Sequence, residues 1–368
     1  MHHARRTVYL VTLAAALGTG LAACGSAGQG GTGSMTGSSP QVAAVSRDVS
    51  FAVNGTTTYA TLDIPAHRAG QHLAAALLIA GSGPSDRNGN DAIAGFTPHI
   101  LQLIAGVLAR MGIMSLRFDK YFSGLTGGGT FADDPGSIDL AAYISQADAA
   151  YHLLRAQPQA SASRMLVVGH SEGGMYALLV AESVSPRPAG LALIEPQDLR
   201  FLTLIQLQAG EQIDAAVRQG TLSAASGQRN AAGVQRAIAE FRAGRPVNVT
   251  GLAPGVVQLL TPWILTPANA RYLRSDDAVY PPSLAARLPS GTRVLVTDGT
   301  QDTNVPLGTI KPLLSALAMA GTTGPGLRVL AGVNHLLHLP GIPANDQILA
   351  PSAVAALQAW AQPYALSS

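Results

Sequence analysis

Ser171 stands in Gly169-His170-Ser171-Glu172-Gly173-Gly174, with an apolar run at 164–168 before it and a helix-forming run at 175–180 after it. Strand, Gly-x-Ser-x-Gly and helix in that order hold a serine hydroxyl proud of the end of a parallel sheet. At a turn this sharp the glycines have a steric reason, because a Cβ on either would collide with neighbouring backbone. Ser171 is therefore the nucleophile candidate. A serine hydroxyl is a poor nucleophile at its own pKa and needs a base within hydrogen-bond reach, itself oriented by a third group. His335 and Asp302 each lie in a loop just after a predicted strand, as Ser171 does. In a parallel sheet those loops converge at one edge, so three residues far apart in sequence can meet there. Glu195, after another apolar strand, is an alternative acid, and His338 an alternative base; Asp298, at a strand end, reads as structural. His67, His72, His99 and His152 show no ligand spacing with Cys, Asp or Glu, so neither a metal nor a cofactor is expected.

The elements that must position these residues follow from hydrophobic patterning. Two alternating runs, 49–53 and 57–64, flank Asn54-Gly55, a strong hairpin signal. An unbroken apolar strand, of the kind buried on both faces, is expected at 74–80, a second buried strand at 113–118, and further strands at 164–168, 189–194, 293–297 and 327–330. Helices are expected between them at 98–110, 138–154 and 307–319, with a closing helix at 351–361. Strand and helix in alternation imply parallel strands joined by right-handed crossovers. Residues 197–275 break the alternation with helical periodicity at 199–209, 213–217 and 234–241, and with an apolar segment at 262–265. A helical insertion at the carboxyl ends of the strands would sit over the site as a lid. The loop Gly81-Ser82-Gly83-Pro84-Ser85 follows a buried strand but lacks the Lys-Ser/Thr of a phosphate-binding loop and the spacing of Gly-x-Gly-x-x-Gly. The alternative is a loop whose backbone N–H groups face a developing negative charge.

Composition sets the outer bounds. In a chain of 368 residues, 47% apolar and 12% charged, a sizeable core is expected. The formal charge of +2 falls to zero once Arg5 and Arg6 are removed with the leader, so nothing favours nucleic acid. Residues 1–23 carry those arginines, an apolar run too short to span a bilayer permanently, and small residues before Cys24, the layout of a secretory signal. Leu21-Ala22-Ala23-Cys24 resembles the lipobox of bacterial lipoproteins, which implies cleavage before Cys24, lipid on that residue and an extracytoplasmic domain anchored to the cell membrane. The arginine pair leaves Sec and twin-arginine export both open. Cys24 is the sole cysteine, so no disulfide forms within the chain. Residues 24–46, rich in Gly, Ser and Thr, read as a flexible tether, leaving 47–368 as the folded domain.

Five stretches in order, AGSGPSDRNGN at 80–90, RFDKYFSG at 117–124, GHSEGG at 169–174, DGTQDTNVP at 298–306 and VNHLLH at 333–338, resemble the α/β-hydrolase superfamily. Within it, the similarity is to secreted bacterial carboxylesterases and serine aminopeptidase-like enzymes. The resemblance implies an α/β-hydrolase fold: a mostly parallel central sheet flanked by helices, with the lid inserted at about 197–275. It implies that Ser171 attacks an acyl carbon, that His335 takes and returns the proton, and that Asp302 fixes the imidazole tautomer. The backbone N–H groups of Glu172 and Ser82 would form the oxyanion hole, with Gly83 as the competing donor. The implied substrate is a small-molecule ester. Alternatives are a peptidase or amidase on the same triad, or a binding protein that kept the fold and lost activity. Two departures stand out: Ala80 replaces a histidine common before the oxyanion loop, and Lys120-Tyr121 replaces Arg-Gly after Asp119.

Overall fold

A computed structural model describes residues 40–93, 95–261 and 264–366 of the chain. The expected leader, Cys24, most of the expected tether, and Pro262-Trp263 of the apolar segment lie outside the described residues.

The N-terminal part is antiparallel. Strands β1 (Gln41–Val42), β2 (Val45–Val53), β3 (Thr56–Ile64) and β4 (His67–Arg68) come first, with β1 paired to β4 and β2 to β3. Asn54 and Gly55 join β2 to β3 with φ of 49° and 74°, both left-handed, as the tight hairpin turn requires. Ordered backbone thus begins ahead of the boundary expected at 47. The Gly, Ser and Thr content of 24–46 as a whole suggests a tether, but its last residues include Val42 and Val45, ladder pairing uses only backbone groups, and Val45 pairs with Ile64.

Strand and helix then alternate: β5 (Leu73–Ile79), α1 (Ile100–Arg110), β6 (Met114–Phe118), α2 (Leu140–Arg155), β7 (Ala160–His170), α3 (Glu172–Ser183) and β8 (Gly190–Ile194). Helices α4 (Phe201–Arg218), α5 (Ala224–Arg242), α6 (Pro254–Leu260), α7 (Ala270–Asp277) and α8 (Pro281–Ala285) interrupt the alternation. It resumes with β9 (Arg293–Gly299), α9 (Lys311–Met319), β10 (Thr323–Leu330) and α10 (Pro351–Ala361). The main sheet has eight strands in the order β10-β9-β8-β7-β5-β6-β3-β2. From β6 to β10 every pairing is parallel, and β3 pairs antiparallel with both β6 and β2.

Strand β5, Leu-Ala-Ala-Ala-Leu-Leu-Ile, is buried at every position, as a central parallel strand covered on both faces must be. Its side chains alternate between two cores. Ala75, Leu77 and Ile79 join the core that includes residues of α2, α3, α8 and α9, whereas Ala74, Ala76 and Leu78 join the core that includes α1 and α10. The Asp139 side chain caps α2 by accepting from the Ala142 N–H.

The inserted helices have a core of their own. Leu202, Ile205, Ala209 and Ile213 form a stripe on α4 facing Val234, Ala237, Ile238 and Phe241 of α5. Helix α4 is continuous, although the sequence suggested two pieces broken near Gly210. A Cβ at Gly210 would meet nothing within 4 Å, so glycine there only lowers local propensity, and packing on both sides carries the helix through. Arg242 grips Asp277 with two hydrogen bonds of 2.7 and 2.9 Å, tying α5 to α7. Gln208 of α4 donates to the Asn304 carbonyl at 2.8 Å, tying the insertion to the loop after β9. Among the described residues no helix is long and apolar enough to cross a membrane.

Candidate active site

The loops that follow β5, β7, β8, β9 and β10 supply the site. At the end of β7, Ser171 has φ 57° and ψ −124°, a conformation a non-glycine residue holds only when its surroundings impose it. Those surroundings are visible. The Ser171 N–H donates to the Ile194 carbonyl at 2.9 Å, and the Ser171 carbonyl accepts from Gly174 at 2.9 Å and from Gln197 at 3.0 Å. A Cβ on Gly169 would lie 1.9 Å from the Gly173 oxygen, and one on Gly173 would lie 2.3 Å from the Ile79 oxygen. Both glycines of Gly-x-Ser-x-Gly therefore permit backbone contacts that no larger residue allows.

His335 brings the three candidate residues into line. Its Nε2 is 2.9 Å from Ser171 Oγ, and its Nδ1 is 2.7 Å from Asp302 Oδ2. The second oxygen of Asp302 accepts the N–H groups of Asn304 at 2.7 Å and Val305 at 2.9 Å. Burial works against ionisation of Asp302, but the His335 bond and these two amides outweigh it and hold the carboxyl below its ordinary pKa. The loop carrying His335 is set by Asn334, whose Oδ1 accepts from the N–H groups of Leu336 and His338, both at 3.0 Å. The His335 carbonyl accepts from Nε2 of His170 at 2.9 Å. That bond puts the proton of His170 on Nε2, and burial, followed by the neighbouring His335, pushes its pKa down to about 3, so this ring stays neutral.

The alternatives occupy other roles. Glu195 is 1% exposed, and its Oε2 accepts the Gly299 N–H at 2.6 Å, so it braces β8 against β9. Burial raises its pKa well above the carboxylate range. Asp298 is equally buried, with no hydrogen-bond partner for either oxygen among the described residues. Burial, then Asp302 and Asp198, push its pKa up to about 7. His338 is buried, and the ring between Ser171 and Asp302 is that of His335. Asp119 takes the Arg87 guanidinium at 2.7 and 3.1 Å and the amides of Arg87 and Leu125 at 2.8 and 2.9 Å, which makes it a loop brace. Asp86 caps its own loop by accepting from the amides of Asn88 and Asn90.

Asp298 makes stability depend on pH. Its carboxyl keeps a proton in the folded protein up to about pH 7 and loses it in the unfolded chain near pH 4. Its contribution is therefore fully present below about pH 4 and is lost as pH rises toward and through about 7. Asp298→Asn removes the titrating proton. Thermal melts should show the variant gaining on wild type between about pH 5 and pH 8. An equal Tm difference at both values would count against the assignment.

Lys120, Glu172 and Tyr272 come together in a group that no spacing in the sequence points to. The Lys120 side chain is buried; its Nζ donates to the Gly81 carbonyl and lies 3.5 Å from Glu172 Oε2. Burial lowers the Lys120 pKa, and Glu172 partly opposes that fall. The Tyr272 hydroxyl, from α7, donates to Glu172 Oε1 at 2.5 Å and sits 2.8 Å from the Tyr176 hydroxyl. Lys120 is one of two lysines in the chain, a rarity that the sequence displays but whose buried location it does not.

A serine, an imidazole and a carboxylate in this geometry can pass a proton from hydroxyl to ring while the carboxylate stabilises the imidazolium. The arrangement sits on a sheet of known type. Est1E from Butyrivibrio proteoclasticus, solved with bound ferulic acid, superposes with TM-score 0.53 at 14% identity, over 86% of this chain and 98% of that one. The Pyrococcus furiosus esterase Pf2001 superposes with TM-score 0.54 at 12% identity, over 88% and 92%. A variant of the esterase rPPE does so with TM-score 0.50 at 17% identity, over 88% and 84%. The chain has the α/β-hydrolase fold. The mostly parallel eight-stranded sheet flanked by helices is the architecture the five sequence stretches implied. No protein-family profile and no curated protein sequence matches the chain.

Proposed function

We propose that the protein is a serine hydrolase that cleaves small-molecule carboxylic esters through an acyl-enzyme intermediate. The observation that carries this reading is the continuous hydrogen-bonded chain from Ser171 Oγ through His335 to Asp302, at 2.9 and 2.7 Å, with Ser171 held on a left-handed turn. Ser171 attacks the ester carbonyl as His335 Nε2 takes its proton. The same proton then passes to the leaving alkoxide, and water repeats the sequence to release the acid. The N–H groups of Glu172 and Ser82 face the oxyanion. Glu172 is the first residue of α3, where an N–H has no partner within the helix and the dipole favours negative charge. Structural neighbours described as esterases support an ester as the substrate class. The Leu21-Ala22-Ala23-Cys24 sequence supports a lipid anchor on Cys24 and an extracytoplasmic location at the cell membrane.

A fluorophosphonate probe tests the reading directly, since it bonds covalently to an activated serine. Wild-type protein is expected to label and Ser171→Ala to remain unlabelled. Equal labelling of the two, or none of the wild type, refutes the proposal.

A further inference from the structure

A buried lysine needs a reason. Lys120 is 2% exposed, and an apolar side chain of similar length would fill its place without the cost of desolvating an ammonium group. Its hydrogen-bond partners among the described residues are Gly81 and Glu172, and its Nζ also lies 5.9 Å from the centre of the Tyr176 ring. Each hydrogen-bond partner is joined to one of the N–H groups assigned to the oxyanion hole: Gly81 contributes the carbonyl of the peptide whose N–H belongs to Ser82, and Glu172 carries the other N–H itself. The loop lies close against the nucleophile, since a Cβ on Gly81 would come within 3.0 Å of the Ser171 Cβ.

The peptide unit is planar and trans, so its C=O and N–H point in opposite directions. Whatever grips the Gly81 carbonyl therefore aims the Ser82 N–H away from that grip. A cationic donor on the carbonyl also polarises the amide, strengthening the N–H as a donor. On the other side, Glu172 is fixed between Lys120 and the Tyr272 hydroxyl, which sets the first turn of α3.

We propose that Lys120 is a positioning residue for the oxyanion hole, orienting and polarising the Gly81–Ser82 peptide and linking it to Glu172. The inference rests on the serine-hydrolase reading of the same site. In it the ammonium never touches substrate. Its effect is felt where charge develops on the carbonyl oxygen, so it appears in kcat and leaves KM nearly unchanged.

The test uses Lys120→Met and the double variant Lys120→Met/Glu172→Gln, which leaves no unpaired buried carboxylate and keeps the acceptor for Tyr272. Both are assayed on an oxoester and on the matching thionoester, whose sulfur is a poorer acceptor in the hole. Lys120→Met is expected to lower kcat for the oxoester about 100-fold, with KM moving less than about threefold. The double variant should stay equally slow, and the wild-type preference for oxoester over thionoester should shrink in both. Wild-type kcat in Lys120→Met overturns the inference. So does recovery of kcat in the double variant, which would make neutralisation of Glu172 the only role. A slow enzyme with an unchanged oxoester preference overturns it as well, because general loosening does not single out the oxyanion. If Lys120→Met alone fails to fold, the double variant decides by the same measurements. Ser171→Ala labelling separates the two levels: loss of labelling there with wild-type turnover in Lys120→Met sinks the inference and leaves the hydrolase reading standing.

Discussion

Replacing His335 with alanine is expected to lower kcat for ester hydrolysis by about 10⁶-fold, and Ser171→Ala by a similar factor. The double variant should be no slower than either. The reason is that the imidazole has one task, taking the proton that Ser171 Oγ gives up across 2.9 Å, and without the hydroxyl there is no proton to take. Residues that act as a unit lose their function together, so their energies do not add. A residual rate about 10³ to 10⁴ above the uncatalysed reaction should persist in all three variants, because the two oxyanion N–H groups are backbone atoms that these substitutions leave in place. Steady-state kinetics on one activated ester gives all three values. Additive losses would mean that His335 contributes independently of Ser171, for example by binding substrate, and would break the proposed chain of proton transfer.

Much of this arrangement was legible because the relevant signals are local. The run from β7 into α3 requires glycine at 169 for contact with Gly173 four residues on, and glycine at 173 for contact with the end of β5; both fall within one six-residue stretch, so the motif reads from sequence. The central strands β5 to β9 read as apolar runs because both of their faces are covered. Two of the differences lie where local signals mislead. Strand β10 extends back to Thr323, through Gly324, Pro325 and Gly326, although glycine and proline argue against a strand. It is an edge strand, so proline costs no ladder bond on its open side, and the register shift between Thr323 and Gly326 absorbs the irregular backbone. Helices α7 and α8 went unread because they are short. Of the eight residues of α7, only Ala270, Leu273, Asp276 and Asp277 are buried, and two of those are acids that no hydrophobic pattern would flag. Least legible was the network of Lys120, Glu172 and Tyr272. It joins the loop after β6, the first turn of α3 and a helix of the insertion, and each residue alone looks like an ordinary surface side chain.

The choice between Asp302 and Glu195 as the acid has a sharper consequence, because asparagine and glutamine keep the shape of the side chain while changing its chemistry. Asp302→Asn is expected to lower kcat about 10⁴-fold at neutral pH. In wild type, Oδ2 accepts from His335 Nδ1 at 2.7 Å, which leaves Nε2 free to receive the serine proton. An asparagine whose amide nitrogen faces the ring donates instead, Nδ1 becomes the acceptor, and the proton moves to Nε2, where it blocks the base. The other oxygen, held by the Asn304 and Val305 amides, keeps the side chain in this orientation, since turning the amide would set its NH₂ against two donors. Part of the lost rate should return at high pH as hydroxide takes over the base's task. Glu195→Gln should leave kcat within about threefold of wild type. Its Oε2 meets the Gly299 N–H, burial already favours the protonated carboxyl, and a neutral glutamine offers the same acceptor. A pH–rate profile of both variants decides the matter: a near-normal Asp302→Asn enzyme beside a crippled Glu195→Gln would transfer the acid's role to the end of β8, and with it the orientation of His335.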